Sequence, residues 1–150
     1  MMIDDFHADQ AKTTPYPMSM EVKKAKGSYI TDQQGKKYLD FVAGISACSL
    51  GHRHPAVVRA IKRQINRYLH VMVYGEYAQA PSVELCKLLA AQLPKNLSVT
   101  YLTNSGTEAI EGAMKLAKRV TGRTEIIAAQ NAYHGSTQGA LSLLLSLIHI

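Results

Sequence analysis

Cysteine, acidic residues and long apolar runs are all scarce in this 150-residue chain. Two cysteines, Cys48 and Cys86, are too few to staple a fold of this size, which excludes a disulfide scaffold and fits a reducing compartment. The N-terminus, MMIDDFHADQ, is acidic and lacks the apolar core of a signal peptide. No stretch approaches the roughly 18–20 apolar residues that a membrane span requires. The expected location is therefore cytoplasmic, with no membrane partner. Gly 10 and Pro 5 are too few for a fibrous or disordered chain, and 47% hydrophobic residues suit a globular one.

Against 11 Asp+Glu stand 17 Lys+Arg, a formal charge of +6 and a pI near 9.4. Such a balance can signal nucleic-acid binding, so its placement matters. Arg59, Lys62, Arg63 and Arg67 share the polar face of one helical pattern. Lys23, Lys24, Lys26, Lys36 and Lys37 flank a hairpin pattern, and Lys115, Lys118 and Arg119 fall late in another helix. These are separate solvated faces without interleaved aromatics or a nucleic-acid motif. No nucleic-acid partner is expected.

The first 25 or so residues read as a short helix and a connector through Pro15 and Pro17. Two β-prone runs follow, Gly27–Asp32 and Lys37–Val42, around a polar turn in which Gly35 supplies a positive φ. Pro55 opens a helix to residue 69, with Val57, Val58, Ile61, Ile65 and Leu69 as its apolar stripe. A second helix runs from Pro81 to Pro94 over Leu85, Leu88, Leu89 and Leu93. Val99, Tyr101 and Leu102 read as a strand leading into a third helix that ends at Gly122. Glu125–Ala129 reads as another strand. Strand, helix and strand at this spacing form a βαβ unit, so the second half is the start of a parallel α/β sheet. The change of pattern near residue 70 is the candidate domain boundary.

Three clusters could carry chemistry. Thr103-Asn104-Ser105-Gly106-Thr107-Glu108 sits where a strand meets a helix, and its unpaired N–H groups and helix dipole suit a phosphate or carboxylate. The same residues could equally be an ordinary N-cap with Glu108 in the first turn. Tyr133-His134-Gly135-Ser136 follows the next strand and could stack on a planar ligand, or simply be a packed Tyr beside a surface His. Gly51-His52-Arg53-His54-Pro55 has two histidines but no further ligand at metal spacing, so no metal is expected. Neither a P-loop, a dinucleotide fingerprint nor a nucleophile elbow is present, and no acidic orienter is placed for a Ser105–His134 pair.

Several motifs together carry a resemblance. Gly27-Ser-Tyr-Ile-Thr-Asp, Gly35-Lys-Lys-Tyr-Leu-Asp-Phe-Val-Ala-Gly-Ile and Leu50-Gly-His-Arg-His-Pro resemble the N-terminal signature of class III pyridoxal-phosphate aminotransferases. Asn104-Ser-Gly-Thr-Glu-Ala, Lys115-Leu-Ala-Lys-Arg, Thr121-Gly-Arg and Tyr133-His-Gly follow in the family's order, so the match runs from about residue 15 to about 144. The resemblance implies an α/β protein of fold type I. Residues 1–70 would begin the small domain, and residues 71–144 would start the large parallel-sheet domain. The implied cofactor is pyridoxal 5'-phosphate, with Ser105, Gly106 and Thr107 on its phosphate, Tyr133 on its ring and His134 beside it. Gly44 and Ile45 would line the substrate entrance, with Ser136 also on the substrate side. The implied partners are a small-molecule amino donor and a keto acid or aldehyde, with a homodimer expected for the full-length protein.

Two departures qualify that reading. Acetylornithine, ornithine and 4-aminobutyrate aminotransferases generally place Arg after the His-Gly pair, where it binds a substrate carboxylate. Here the position is Ser136, which supplies no bidentate cationic fork, so those substrates lose weight. The family's Schiff-base lysine and the acidic partner of the pyridine nitrogen are expected beyond residue 150. Lys115 and Lys118 belong to a charged helix face, so no catalytic residue is assigned and the chain is expected to be an inactive N-terminal fragment. Residues 145–150, Leu-Ser-Leu-Ile-His-Ile, translate the start of a transposase sequencing-adapter end, and an adapter-derived tail is expected there. A mutase or decarboxylase of the same fold remains an alternative reading, as does a non-catalytic small α/β anion-binding protein.

Overall fold

The computed structural model describes residues 2–72 and 74–144. The residues expected to be an adapter-derived tail, 145–150, lie outside them. Two compact units divide between residues 73 and 74.

The first unit opens with α1 (Met2–Asp9), which carries Asp4 and Asp5 in its first turn, favourable to the helix dipole. The Ile3 amide donates to Glu21 Oε1 at 3.0 Å, tying the helix to the connector. A three-stranded antiparallel sheet follows: β1 (Val22–Lys26), β2 (Tyr29–Asp32) and β3 (Lys37–Leu39), in that spatial order. The hairpin of β2 and β3 is the expected one, and Gly35 in its turn has φ +88°. The strand β1 lies where the sequence pattern predicts a connector. Three lysines in five residues mask its β character, which comes from pairing Lys24, Ala25 and Lys26 with Thr31, Ile30 and Tyr29.

Asp32 organises the turn. It accepts from the Lys36 amide at 2.8 Å and from the Tyr38 hydroxyl at 2.9 Å. Burial pushes its carboxyl pKa up, but the Tyr38 hydroxyl and the Lys36, Gln34 and Gly35 amides outweigh that and hold it below 3.8. The helix α2 (Pro55–Ile65) begins at its N-terminal proline as expected, and stops four residues short of the expected end.

The second unit holds α3 (Ala80–Gln92), α4 (Gly106–Thr121) and the one-turn α5 (Gln138–Leu141). Gly122, at φ +69°, caps α4 in the left-handed region and donates to the Lys118 carbonyl at 2.9 Å. Segments 99–102 and 125–129 are not strands: no ladder bonds form along them among the described residues. A strand exists only through a partner that takes its N–H and C=O groups. The apolar residues that drew the strand reading stand in solvent, with Val99 91% and Ile127 99% exposed. Tyr101 instead lays its ring along α4, 3.6 Å from the point where a Cβ on Gly112 would lie. The buried apolar residues among those described are Ala140 and Leu144, both at the end of the second unit.

Candidate functional site

The first turn of α4 is built by its own sequence. Ser105 is extended (φ −152°, ψ 161°), and its Oγ accepts the Glu108 amide at 3.3 Å. Glu108 reaches back so that Oε2 accepts the Asn104 amide at 2.8 Å. The Thr103 hydroxyl donates to the Ser105 carbonyl at 3.0 Å. This is a near-capping box, shifted one residue upstream on its return arm. Capping and ligand binding were open alternatives for Ser105, and the structure shows the cap. The cap leaves the Gly106 and Thr107 amides without a partner among the described residues, at the positive end of a 16-residue helix. Beyond its chain neighbours and its own helix backbone, nothing lies within 4 Å of where a Cβ on Gly106 would be, so space is open beside this turn.

The loop after residue 130 is folded onto this helix start. Thr137 donates its amide to Thr107 Oγ1 at 3.2 Å, and the two threonine hydroxyls lie 2.7 Å apart. Gly135, at φ +126°, is pressed so closely on Thr107 that a Cβ would fall 2.8 Å from the Thr107 Cα. The structure therefore brings together Thr107, Gly135 and Thr137. The Thr107 hydroxyl is spent on Thr137.

Tyr133 is 70% exposed, and its hydroxyl is 2.8 Å from Ser136 Oγ. His134 lies half-buried, and its Nε2 is sealed from solvent without a hydrogen-bond partner. An orphaned buried ring nitrogen costs free energy unless a further group meets it.

Sequence reasoning missed Glu111. From the second turn of α4 its Oε1 accepts from the Thr137 hydroxyl at 2.7 Å and from the Gly139 and Ala140 amides at 2.9 and 3.1 Å. It caps α5 from another helix. The Thr137 hydroxyl, then the Ala140 amide, prevail over burial, and with the Gly139 amide and Lys115 they hold the Glu111 carboxyl below 4.5. Its spacing of four from Lys115 is a local helix pattern, whereas partners 26–29 residues away leave no signal in the sequence.

Gly44 and Ile45 lie in the first unit, inside a rare turn. Ala43, Gly44, Ile45 and Ser46 have φ of 48°, 60°, 56° and 67°, a left-handed run in which three non-glycine residues are strained. Asp40 holds its entrance: Oδ1 accepts from the Val42 and Ala43 amides at 3.0 and 2.9 Å, and Oδ2 is 2.7 Å from His52 Nε2. Ala43's amide first, then the His52 ring, keep the Asp40 carboxyl below 3.8 despite burial. The Ile45 side chain is 89% exposed at the tip. His52 thus belongs to a loop anchor, and no group of three or more His, Cys, Asp or Glu able to hold a metal occurs among the described residues. No described helix is long and apolar enough to cross a membrane.

Comparison with known proteins agrees on one family. The aminotransferase class-III profile matches residues 10–147. The chain is 40% identical over 141 residues to an acetylornithine aminotransferase of Methanopyrus kandleri, covering 94% of this chain and 35% of that protein. It is 41% identical over 123 residues to the acetylornithine aminotransferase of Bacillus subtilis, covering 82% and 31%. Among solved structures, adenosylmethionine-8-amino-7-oxononanoate aminotransferase from Methanocaldococcus jannaschii superposes with a TM-score of 0.84 at 29% identity, covering 95% of this chain and 35% of that one. The taurine:2-oxoglutarate aminotransferase of Bifidobacterium kashiwanohense, in complex with PLP and glutamate, gives 0.79 at 32% identity, covering 93% and 32%. The chain spans about a third of the length of these relatives. These matches establish an α/β chain of the fold type I class, and on them it belongs to the class III aminotransferases.

Proposed function

We propose that the protein of which this chain forms the N-terminal third transfers an amino group between an amino donor and a keto acid or aldehyde, using pyridoxal 5'-phosphate. The observation that carries this reading is the start of α4: two unpartnered amides, open space beside Gly106 and a positive helix end. These residues fit a phosphate. The orphaned Nε2 of His134 fits a planar polar ligand that meets it from the 133–136 loop.

In that role the Gly106 and Thr107 amides, with the Ser105 hydroxyl proton, bind the phosphate and fix the cofactor's depth. Tyr133 offers an exposed ring for stacking, and its bond to Ser136 sets the ring's tilt. His134 orients the polar edge of the same ligand. Gly44 and Ile45 form a substrate-facing turn held in shape by Asp40. The bound cofactor supplies an electron sink for the carbon bearing the amino group.

Relatives named for acetylornithine argue for a substrate with a distal carboxylate, while Ser136 offers no cation to receive one. The substrate class we favour is therefore an amino donor whose carboxylate is not read at position 136. Segments 99–102 and 125–129 are proposed as strands whose ladder partners lie in the remaining two thirds of the protein. On this reading residues 71–144 begin the large domain and residues 1–70 belong to the small one. Homodimerisation and a cytoplasmic location complete the reading.

The test uses amide resonances of the 150-residue chain. Pyridoxal 5'-phosphate should shift Gly106 and Thr107, and pyridoxal without its phosphate should leave them in place. Equal shifts with both compounds would remove the phosphate role from this turn.

A further inference from the structure

The strand register gathers lysines that look dispersed in the sequence. Lys24 pairs with Thr31, and Thr31 pairs with Lys37, so the three form one row across β1, β2 and β3. Lys26 pairs with Tyr29 in the next row. Residues at i and i+2 of a strand share a face, so all five stand on one side of the sheet. Directly aligned like charges destabilise a sheet unless something neutral or negative lies between them. Here Thr31, a residue only 7% exposed, separates two of them, and its hydroxyl has no hydrogen bond among the described residues.

Arg53 completes this face. The residue before it is fixed by two backbone bonds, from Gly27 N to the His52 carbonyl at 3.0 Å and from His52 N to the Gly27 carbonyl at 2.8 Å. The residue after next, Pro55, starts α2. Arg53 itself is held at φ +56°, where a side chain is strained. Lys24, Lys26, Tyr29, Thr31, Lys37 and Arg53 all line one cleft of about 860 Å³, within the range of small-molecule sites. No aspartate or glutamate lines it, and none of its four cations has a carboxylate partner among the described residues.

We propose that this cleft binds a small molecule carrying a diphosphate group. The lysines are compact charges for the phosphate oxygens, Arg53 supplies a planar fork, and the Thr31 and Tyr29 hydroxyls donate between them. An anion on this face neutralises the aligned lysines and pairs with the Arg53 guanidinium. The inference uses first-unit residues alone and does not rest on the aminotransferase reading.

Inorganic pyrophosphate titrated into the 150-residue chain at low salt is the probe, followed by calorimetry and by the amide resonances of residues 24–37. We expect one-to-one binding that weakens as salt rises and by at least about tenfold in Lys24→Gln/Lys37→Gln. Arg53→Gly separates binding from folding: glycine relieves the left-handed strain, so the melting midpoint rises while pyrophosphate affinity falls. Affinity unchanged in both variants, or no binding to the unaltered chain, would overturn the proposal. Tighter binding of a hexaglutamate peptide than of pyrophosphate would overturn it too, by assigning the cleft to an acidic segment.

Discussion

Glu111 and Gly139 meet across 28 residues of sequence: the Gly139 amide donates to Glu111 Oε1 at 2.9 Å, and a Cβ on the glycine would fall 2.8 Å from the Glu111 carboxyl carbon. This bond, with those to Thr137 and Ala140, fastens the loop carrying Tyr133 and His134 to the helix whose first turn is the candidate phosphate site. A carboxylate accepting three donors is a strong local anchor, since charge-assisted bonds are shorter and stronger than neutral ones.

Glu111→Gln keeps the shape and removes the charge. The Gly139 and Ala140 amides should then exchange with solvent faster, while amides in the middle of α3 keep their rate. Hydrogen exchange read residue by residue checks this. Uniform change in both helices would mean that Glu111 acts on the whole unit and not on α5.

Acid should loosen the chain in a defined direction. Glu111, Asp40 and Asp32 all have folded pKa values below their ordinary 4.5, 3.8 and 3.8. Their contribution is fully present above those ordinary values and is lost as pH falls through the lower folded ones. Urea midpoints should be flat near neutrality and decline below pH 4.5, and Glu111→Gln should flatten part of the decline. A midpoint that rises on acidification would contradict the assignment.

Ser105→Ala removes the side-chain cap of α4 and should cost about 1 kcal/mol of helix stability. Ser105→Asp should recover the cap, since aspartate is an equally good N-cap residue, yet it should repel a phosphate at the same turn. Circular dichroism together with a pyridoxal 5'-phosphate titration separates the two effects.

Gly135→Ala meets two obstacles. At φ +126° any side chain is strained, and the new methyl would collide with Thr107 beside the capped turn. A loss on the order of 1–3 kcal/mol is expected, read from denaturant midpoints. Thr107→Gly removes the hydroxyl and Cβ that the methyl would strike and leaves the φ strain, so the double variant shows how much of the loss is collision.

Much of the local structure was legible from short-range chemistry. Pro55 and Pro81 mark helix starts because an N-terminal proline loses no hydrogen bond there, and Gly122 marks a stop because it adopts the left-handed cap cheaply. Ser105 and Glu108 announce a helix start through spacing alone. The strand β1 escaped because lysines carry little β preference, and pairing with β2 decided the matter.

By itself the sequence determined the four longer helices, the β2–β3 hairpin and the family, since caps, turns and motif order depend on residues near each other in the chain. Only the tertiary structure decided three things. It spent Thr107's hydroxyl on Thr137, it made Glu111 the cap of a distant helix, and it left segments 99–102 and 125–129 without a strand partner among the described residues. Each depends on a partner far along the chain, and short-range patterns carry no record of which distant donor or strand will arrive. The scarcity of acidic residues shows the same division. Counting established a +6 chain, and strand register together with the Gly27–His52 bridge placed four of its cations around one cleft with no carboxylate.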